Sequence, residues 1–517
     1  MKFYHLSDLH YQSKSVWKGT SWEIEKEEGA TLSRFSEEIT KKVIDDIKKD
    51  HEIDTIIITG DITNQGDRES HKEMVNILRD LVNSGKKVYT MIASHDFSCH
   101  PFIIKDGWAK TAIDEFRSEK DACAFYKEFG PNQAISVDDE TLSYVVQLND
   151  KIRYISINPL YGDKERNSEM YFSDAFMLWV KEQADKAKND GCIIIAGVHY
   201  PILTPSPMYK LVGGISCFIK DPIERAQQFA DMGINLFLTG HTHIFSMNNM
   251  VFENSSNFYQ VTTAALTAYP PLYRKIEIDE NTCDVKVSTI DVGDITYNGK
   301  TINVNEATRK IFIGLIEPAV EKMQYDAKVL MLIGGGMETK EAILEKYNFL
   351  ITRIARFLNK LTFGKIAKYI KKESGLKKAD YASIKDKKVL PFLVQLVATL
   401  YDGKQQYSPD SKEYKVFMSL IAVFDSIIKC LHINIERITH TKNLYDLIEP
   451  MLYNDGIDNY TCEFNLKKPY VSDKSTEKII SKKGCKIVTG VAVLTVLFLP
   501  IILPVALIAL IVSNIKK

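Results

Sequence analysis

The 517-residue chain lacks the cysteine patterns of disulfide scaffolds and zinc ribbons. Its eight cysteines are scattered, and no two of them form a Cys-x-x-Cys pair. Small secreted scaffolds pack cysteines densely, and zinc ribbons place them in close pairs. We therefore expect free thiols that are kept reduced in a cytosolic compartment.

The chain also lacks an excess of either charge and an apolar signal segment at its N-terminus. The formal net charge is −1, so the overall charge does not support binding to nucleic acid. Residues 1–8 contain no long apolar run, which predicts that the bulk of the chain stays where it is made. No Lys-Ser/Thr pair follows Gly334-Gly335-Gly336, so a phosphate-binding P-loop is not indicated there.

Charged side chains are absent from one long stretch near the C-terminus. Residues 487–515 carry none and consist mainly of Val, Leu, Ile, Ala, Phe and Pro. A helix of that length exceeds the roughly 30 Å hydrocarbon core of a bilayer. We predict a hydrophobic membrane anchor over 487–515, with the rest of the chain facing the cytoplasm. Pro500 and Pro504 leave a bent or re-entrant insertion open, and a buried core helix is the soluble alternative.

Alternating strand and helix patterns fill residues 1–295. The apolar runs typical of buried strands are Thr55–Thr59, Val88–Ala93, Ile152–Ile157, Cys192–Val198 and Leu236–Thr239. The amphipathic stretches between them are Ser36–Lys49, Glu69–Asn83, Asp174–Lys188 and Pro222–Met232. This order predicts an α/β fold with a substantially parallel sheet. The β-rich patterning of residues 245–295 predicts a second sheet that closes the domain.

The pattern changes after residue 303. Residues 303–466 show long helical periodicities and few strand signals, which predicts a separate all-α domain. Within it, the stretch 353–388 holds twelve Lys and Arg residues against three acidic ones. This stretch is either a solvated helical face or a basic surface that lies on anionic lipid. Residues 467–486 are polar and predict a linker to the membrane anchor.

Histidine and aspartate cluster after the predicted strands. Nine of the eleven histidines fall within the first 243 residues. The groups, in chain order, are Asp8-Leu9-His10, Gly60-Asp61 with Asn64, Ser94-His95-Asp96, Gly197-Val198-His199 and Gly240-His241-Thr242-His243. Residues at the carboxyl ends of strands in open α/β sheets are placed to bind ligands.

Each of these groups is a weak signal alone, but five of them after five strands form a strong one. Imidazole and carboxylate ligands suit borderline divalent metals such as Mn, Fe, Ni or Zn. Two such ions can clamp the attacking and leaving oxygens of a phosphoryl centre. The combination therefore indicates a site with two divalent metal ions.

The order of these groups resembles the calcineurin-like metallophosphoesterase family, whose pattern runs D-x-H, G-D, G-N-H-[DE], G-H and G-H-x-H. The resemblance covers residues 1–295 and implies a four-layer α/β/β/α sandwich. It implies that Asp8, His10 and His243 hold one metal, that His199 and His241 hold the other, and that Asp61 bridges them. It also implies that His95 lies beside the substrate phosphate, where it stabilises or protonates the leaving oxygen. Asp96 would orient its neighbours from behind the site.

The third motif departs from the family pattern. The family carries Asn where this chain has Ser94, and Gly where it has Ala93. A serine hydroxyl is shorter than an amide and a poorer neutral ligand, so water would complete the coordination of the second metal. We expect the departure to affect catalytic rate more than fold. His5, on the first strand, is expected to be a packed residue and not a ligand.

The resemblance implies hydrolysis of a phosphate ester of unknown identity. Asp96 follows His95, where the protein phosphatases of the family usually carry Glu, so a phosphodiester is favoured over a phosphoprotein. Membrane tethering would suit a substrate close to the membrane. The alternative, favoured by Ser94, is a non-catalytic membrane-anchored adaptor whose metal site is structural. The otherwise intact ligand set and His95 favour the enzyme.

Overall fold

The computed structural model of the chain describes most of the sequence. The described residues are 1–16, 31–105, 109–161, 170–207, 218–328, 345, 348–349, 352–353, 355–357, 359–370, 374–430, 432, 434–436, 441–454 and 456–470.

A mixed sheet of six strands contains the N-terminus. Its strands, in spatial order, are β17 (Cys462–Asn465), β14 (Asp284–Asp291), β13 (Leu272–Ile278), β1 (Lys2–Leu6), β2 (Thr55–Ile58) and β3 (Lys87–Thr90). Strands β1, β2 and β3 are parallel, and the other three are antiparallel to their neighbours. Every residue of β2 is buried, as expected for a strand covered on both faces.

A second mixed sheet has seven strands. In spatial order they are β11 (Ser246–Val251), β12 (Asn257–Thr262), β10 (Leu236–Thr239), β9 (Ile193–Val198), β8 (Ile152–Ile157), β7 (Tyr144–Asn149) and β6 (Ser136–Val137). Strands β8, β9, β10 and β12 are parallel. Four further strands form two separate hairpins. One pairs β4 (Phe102–Lys105) with β5 (Ala109–Ala112), and the other pairs β15 (Asp294–Tyr297) with β16 (Lys300–Asn303).

The two sheets pack face to face between helices. One apolar cluster joins Phe3, Ile57 and Tyr89 of the first sheet to Tyr154 and Leu238 of the second. Helices α1 (Ser36–Lys49) and α2 (Arg68–Asn83) place their buried apolar stripes on the outer face of the first sheet. After the short α3 (Glu119–Phe125), α4 (Asp174–Asn189) contacts β9 and α5 (Pro222–Asp231) contacts β12. These layers form an α/β/β/α sandwich.

The structure corrects two details of the predicted sheets. The parallel strands are divided between two sheets, because consecutive strand-helix units build first one sheet and then the other. The β-rich segment 245–295 does not form a sheet of its own. Its strands β11 and β12 join the second sheet, while β13 and β14 join the first, so this segment completes both.

The chain divides into two compact units, and the first extends past residue 295. It comprises the described residues within Met1–Pro205, Phe218–Ile311 and Ile457–Val471, and the second comprises the described residues within Ser206–Cys217 and Phe312–Gly456. The prediction of a helical domain up to residue 466 is wrong at its C-terminal end. Residues 462–465 form β17, because their alternation of buried and exposed side chains suits pairing with β14.

Helices make up most of what is described after residue 303. They are α6 (Val304–Lys322), α7 (Phe363–Ile370), α8 (Lys378–Ile384), α9 (Val389–Tyr401), α10 (Lys412–Cys430) and α11 (Leu444–Leu452). Among the described residues, no helix has the length and apolar character needed to cross a bilayer. The predicted anchor, 487–515, and nearly all of the predicted linker lie outside the described residues.

The described cysteines differ in redox state. Cys99, Cys123, Cys192, Cys283 and Cys462 are free thiols. Cys430 forms a disulfide, so the expectation that all the thiols are reduced is wrong at this position.

Candidate metal centre

The six predicted ligands lie in the loops that follow four strands, and His95 lies in the loop that follows a fifth. Asp8 and His10 follow β1, Asp61 follows β2, and His199 comes directly after β9. His241 and His243 lie in the loop after β10. A short 3₁₀ turn over Ser94–Asp96 follows β3 and carries His95. Contacts between these loops bring the carboxyl ends of the parallel strands of both sheets to one site.

Five of the six predicted ligands have a left-handed backbone. The φ angles are 51° at Asp8, 45° at His10, 48° at Asp61, 66° at His241 and 54° at His243. Such angles are uncommon for residues with a side chain and are found at functional sites, where the surrounding structure holds them. The loops therefore hold these side chains in position at some cost in backbone conformational energy.

Two glycines in these loops allow the close approach of the ligands. A Cβ atom added to Gly240 would lie 1.8 Å from Ser7 Oγ and 2.3 Å from Asp8 Oδ2. Gly60 has a φ of 88°, and an added Cβ would lie 2.7 Å from Ala93 Cβ and 2.9 Å from His199 Nδ1. Both positions exclude any larger residue unless the ligand loops move.

Asp8, His10 and His243 form the first cluster, in which one ligand atom of each lies within 4.8 Å of the others. His243 Nε2 is 3.4 Å and His10 Nε2 is 3.7 Å from Asp8 Oδ1, and the two Nε2 atoms are 2.9 Å apart. The Asp8 carboxylate accepts hydrogen bonds from Ser7 Oγ at 2.6 Å and from the His241 backbone N–H at 2.9 Å. Both Asp8 and His10 are buried.

Asp61, His199 and His241 form the second cluster, which meets the same 4.8 Å limit. His199 Nδ1 is 2.6 Å from the Thr59 carbonyl oxygen, to which it donates, so Nε2 is turned toward Asp61 Oδ2, 3.0 Å away. Asp61 Oδ1 accepts from the His95 backbone N–H at 2.9 Å and from Ser94 Oγ at 3.4 Å. Because the His241 backbone binds Asp8, this residue connects the two clusters.

The charges of the two clusters depend on one another. Burial alone would raise the pKa of Asp61, but the neighbouring His199 and His95 imidazoles outweigh it and hold that pKa well below its usual range. Burial would likewise raise the pKa of Asp8, but the nearby imidazoles of His199, His10 and His243 outweigh it and lower that pKa. Burial would lower the pKa of His199, yet the two carboxylates raise it to about 9. Both aspartates are therefore ionised at neutral pH.

This set of side chains fits two divalent cations. Within the described part of the chain, neither Asp8 nor Asp61 forms an ion pair with Lys or Arg, although both are at most 1% exposed. Buried carboxylates need a compensating positive charge. His10 Nδ1 is buried without a hydrogen-bond partner among the described residues, and His199 Nε2 is buried beside Asp61 Oδ2. Four imidazoles and two carboxylates match the preference of Mn, Fe, Co, Ni or Zn.

His95 lies between the clusters without belonging to either. Its ring is 4.7 Å from that of His10, centroid to centroid, and its Nδ1 is 2.8 Å from the Asn64 carbonyl oxygen. A carbonyl accepts only, so Nδ1 carries a proton and donates it. This hydrogen bond fixes the ring and leaves Nε2 as the atom that can meet a substrate.

Asp96 joins the second and third ligand loops from behind. Its carboxylate accepts from the backbone N–H groups of Thr63 at 2.8 Å, Ala93 at 3.0 Å and Ile62 at 3.3 Å, and from the Thr63 hydroxyl at 3.1 Å. Burial, followed by the charge of Asp61, raises the pKa of Asp96 to about 7. The side chain thus connects the backbone of these two loops.

Two histidines outside the clusters support the loops of the site through hydrogen bonds. His5 is buried between the hydroxyls of Thr59, at 2.9 Å, and Thr263, at 2.8 Å, which confirms that it is a packed residue. A role for His71 was not predicted; its Nε2 is 2.8 Å from the Asp96 carbonyl oxygen and its Nδ1 is 2.9 Å from the Tyr126 hydroxyl. Its only sequence signal is a position on the apolar stripe of α2.

Residues 1–245 match the family model described as calcineurin-like phosphoesterase. The match ends just after the Gly-His-Thr-His loop, so it spans all five motifs. It supports the metallophosphoesterase α/β fold for this part of the chain. It also supports a metal-dependent site, because the residues of both clusters lie within the matched range.

Known proteins with some similarity to this chain are distant. An uncharacterized metallophosphoesterase-like protein YydB of Bacillus subtilis (strain 168) is 23% identical over 244 residues, which are 43% of this chain and 48% of that protein. The chain thus spans about half the length of this curated relative. A dimetal phosphatase from Danio rerio has a TM-score of 0.39 at 9% identity, with 59% of this chain and 98% of that one covered. Purple acid phosphatase PPD1 from yellow lupin (Lupinus luteus) seeds has a TM-score of 0.33 at 10% identity, with 58% and 52% covered.

The structure brings the six predicted ligand residues together and places Tyr200 beside the second cluster. Tyr200, directly after His199, is 3% exposed, and its ring is 4.6 Å from that of His241. Its hydroxyl is 3.0 Å from the hydroxyl of Tyr161, with which it forms a hydrogen bond. This packing was not predicted, because Tyr200 reads as the last apolar residue of a buried strand.

Proposed function

We propose that the chain is a metal-dependent phosphoester hydrolase whose active site is the pair of ligand clusters. The observation that carries the proposal is the presence of two three-residue clusters, connected by His241, where the strands of both sheets end. Asp8, His10 and His243 would hold one ion. His199 and His241 would hold the other, and Asp61 would bridge the two.

Two bound divalent ions would supply a hydroxide near neutral pH and neutralise the charge that develops on the phosphate oxygens. The chain itself orients the reaction. The bond from His199 Nδ1 to the Thr59 carbonyl holds Nε2 toward the second ion, and the bond from the His241 backbone to Asp8 fixes the relative position of the two clusters. Burial of the carboxylates would also keep water out of the site, and electrostatic interactions are stronger at the low dielectric constant that results.

His95 would assist departure of the leaving group. Because its Nδ1 proton is donated to the Asn64 carbonyl oxygen, the proton available for transfer is a second one, bound to Nε2. As the bond between phosphorus and the leaving oxygen breaks, His95 Nε2 would donate this proton to the leaving alkoxide. Asp96 holds the backbone of this turn in place through its bonds to the loop that carries Asp61.

The substrate class we propose is a phosphodiester. Asp96 after His95 favours a diesterase over a protein phosphatase, and a net charge of −1 gives no support for nucleic acid. We also propose that the uncharged run 487–515 tethers the enzyme to a membrane with the catalytic domain on the cytoplasmic side, so that its substrate is a molecule at or near that membrane.

The proposal is tested by hydrolysis of bis(4-nitrophenyl) phosphate and 4-nitrophenyl phosphate. The full chain is stripped of metal with a chelator and reloaded with Mn²⁺. We expect turnover that requires Mn²⁺, is faster on the diester, and is abolished in Asp61→Ala. The matched control is His51→Ala, since the exposed His51 belongs to neither cluster.

The outcomes separate the enzyme from the adaptor. A folded chain that binds two equivalents of Mn²⁺ yet hydrolyses neither ester would favour the adaptor, with a structural metal site. Turnover that survives in Asp61→Ala would exclude the two clusters as the active site. A higher rate on the monoester would retain the hydrolase and reject the diester assignment.

A further inference from the structure

The second unit presents three large aromatic side chains to solvent. Within the described part of the chain, Tyr325 and Phe349 are the most exposed large hydrophobic residues, at 73% and 72%. Phe357 is also exposed, at 37%. Single exposed apolar side chains are common on folded proteins, whereas several that lie together mark an interaction site. The positions of these three residues relative to one another therefore decide whether they form such a site.

Phe349 and Phe357 lie on the exposed face of one helix. The described residues between 345 and 360 are helical, and their exposure follows the helical repeat, with Thr352 and Ala355 buried. The exposed residues share one face at spacings of three and four, and they are Glu345, Phe349, Arg353, Arg356, Phe357 and Lys360. The two phenylalanines are therefore in line with three cations.

Tyr325 lies next to this face, in the turn after α6. Arg356 Nε donates to the Gln324 carbonyl oxygen at 2.9 Å, and the Ala327 backbone N–H donates to Asn348 Oδ1 at 2.8 Å. These two bonds hold the turn that carries Tyr325 against the helix. The side chains form one basic-aromatic surface, which consists of Tyr325, Phe349, Phe357, Arg353, Arg356 and Lys360.

The cations of the basic-aromatic surface have no acidic partner in the part of the chain that the structure describes. All three are exposed, and Arg356 binds a carbonyl oxygen, that of Gln324. The guanidinium of Arg353 lies 5.4 Å from the centre of the Phe349 ring, which places a cation beside an aromatic face. The positive charge is therefore available to an anion outside the chain.

The neighbouring residues leave the charge of this surface positive. Glu345, on the same helix face, is 2.5 Å from Lys328 Nζ, which compensates its charge. Asp326, which follows the turn, is exposed. A further exposed cation, Lys365, offsets it, because Lys365 Nζ is 2.6 Å from the Lys360 carbonyl oxygen at the end of the helix. The three cations of the surface itself are thus in excess.

An anionic bilayer fits this combination of groups. Interfacial helices place aromatic side chains at the level of the lipid headgroups and bring cations close to anionic lipid. The stretch 353–388, which begins on this surface, holds twelve Lys and Arg residues against three acidic ones. The same chain carries the uncharged run 487–515, which is long enough to enter a bilayer. These observations favour lipid over a protein partner.

We propose that the basic-aromatic surface docks on a membrane that contains anionic lipid, with its three aromatic side chains in the headgroup region. The inference goes beyond the proposed function, because it concerns the second unit and requires neither a metal ion nor catalysis. It gives the chain a lipid contact in addition to the proposed tether. Two such contacts hold a chain on a membrane more stably than one.

The test follows a tryptophan introduced as Phe349→Trp in the full chain, which is reconstituted with vesicles containing lipids brominated near the headgroup. The signal is measured against the unchanged chain, which has four tryptophans. We expect the added emission to be quenched and shifted to shorter wavelength in vesicles with about 30% phosphatidylserine, but not in pure phosphatidylcholine. The matched control is Leu178→Trp, since Leu178 is 59% exposed on α4 of the first unit. It should show neither change.

Removal of two cations tests the role of charge. Arg353→Gln with Lys360→Gln, added to Phe349→Trp, should lower the ratio of quenched to unquenched chains about 25-fold at a fixed lipid concentration. This is roughly fivefold for each charge removed near an anionic surface. Arg356 is left unchanged, because it holds the turn. The matched control is Lys120→Gln with Lys300→Gln, two exposed cations of the first unit, and it should leave the ratio unchanged.

Two results would overturn the inference. Equal quenching in both kinds of vesicle would show a contact that does not depend on anionic lipid. Absence of quenching in both would mean that this surface stays in water at a membrane, and a protein would then be the partner to seek. Attachment through 487–515 alone gives this second result, with the chain sedimenting with both kinds of vesicle. Diester hydrolysis in the same samples reports on the proposed function independently.

Discussion

The two ligand clusters are built from the same types of side chain but depend on different parts of the chain. In the first cluster, the Asp8 carboxylate is held by the adjacent Ser7 hydroxyl and by one backbone N–H, that of His241. In the second, Asp61 is held by the backbone and side chain of the loop at 94–95. That loop is the one which departs from the family pattern.

This difference means that the clusters tolerate change differently. The ligand residues of the first cluster come from two short motifs, each at the end of a central strand, and few residues outside these motifs hold them in place. The second relies on a layer behind it, made of Asp96 and His71. We therefore expect the residues around the second cluster to tolerate more sequence variation than those around the first.

Replacement of the two carboxylates tests this comparison most strongly. Asp61→Asn should reduce diester hydrolysis by at least about 1,000-fold, as removal of a central catalytic group usually does. Asp8→Asn should have a similar effect on rate. Metal content by elemental analysis should differ, because Asp8 belongs to one cluster whereas Asp61 would bridge both. We expect Asp8→Asn to lose one ion and Asp61→Asn to weaken both.

An equal metal content in the two variants would contradict the bridging role of Asp61. A suitable control is Asp45→Asn, because this aspartate lies on the surface of α1, away from both clusters. The Asp45→Asn variant should bind both ions and retain full activity.

Removal of the histidine between the clusters should separate chemistry from metal binding. His95→Ala should lower kcat about 100- to 10,000-fold, the range for loss of a general acid, on a diester with a poor leaving group. The loss should shrink on bis(4-nitrophenyl) phosphate, whose leaving group needs no proton. Both ions should remain bound. An equal loss on the two substrates would show that His95 acts on the binding of the phosphate and not on the leaving oxygen.

Much of the first unit could be predicted from the sequence because its strands and ligand loops are local patterns. Apolar runs such as Ile193–Val198 indicated the strands, and the motifs at their ends contain the six residues that the structure brings into two clusters. The pairing of β17 with β14 could not be predicted, because it joins residues about 180 positions apart with one short alternating run as the only signal.

One support of the second cluster was missed for a related reason. His71 acts through a hydrogen bond to the backbone carbonyl of Asp96, which is distant in sequence. From the sequence, His71 is simply a residue on the apolar stripe of a helix. A hydrogen bond between groups distant in sequence has no periodicity, so only the folded arrangement reveals it.

A methyl group at Gly240 should disturb both clusters at once. An added Cβ would overlap Ser7 Oγ and Asp8 Oδ2, and the next residue is His241. We expect Gly240→Ala to lower the free energy of unfolding by about 3 kcal/mol, as overpacking of a buried site does. Urea denaturation measures the change.

The matched control for this change is Gly314→Ala. An added Cβ at Gly314 meets no atom within 4 Å, and the residue lies in helix α6. Alanine favours a helix over glycine, so we expect a gain of up to about 1 kcal/mol. A loss in Gly240→Ala no larger than the change in Gly314→Ala would mean that the ligand loops can move apart freely.

The smallest expected effect concerns the buried support of the second cluster and depends on pH. Burial lowers the pKa of His71 to about 4, against roughly 6.5 in an unfolded chain. Between these values the unfolded state binds more protons than the folded one, so the free energy of unfolding falls as the pH falls. The stability is fully present above about pH 6.5 and is lost toward pH 4.

Urea denaturation at pH 7.5 and pH 5.0 isolates this contribution. His71 should account for roughly 2 kcal/mol of the stability that the chain loses between these two values. His71→Gln should be less stable at pH 7.5, because the bonds to the Asp96 carbonyl and to Tyr126 are weakened, but it should lose less on acidification. His5 and His10, whose pKa values burial also lowers, remain in the variant and leave part of the slope. If the variant and the unchanged chain lost the same amount, His71 would already be protonated in the folded state. The loop behind Asp61 would then be held by a charged His71. The second cluster would in that case depend on its supporting residues no more than the first cluster does.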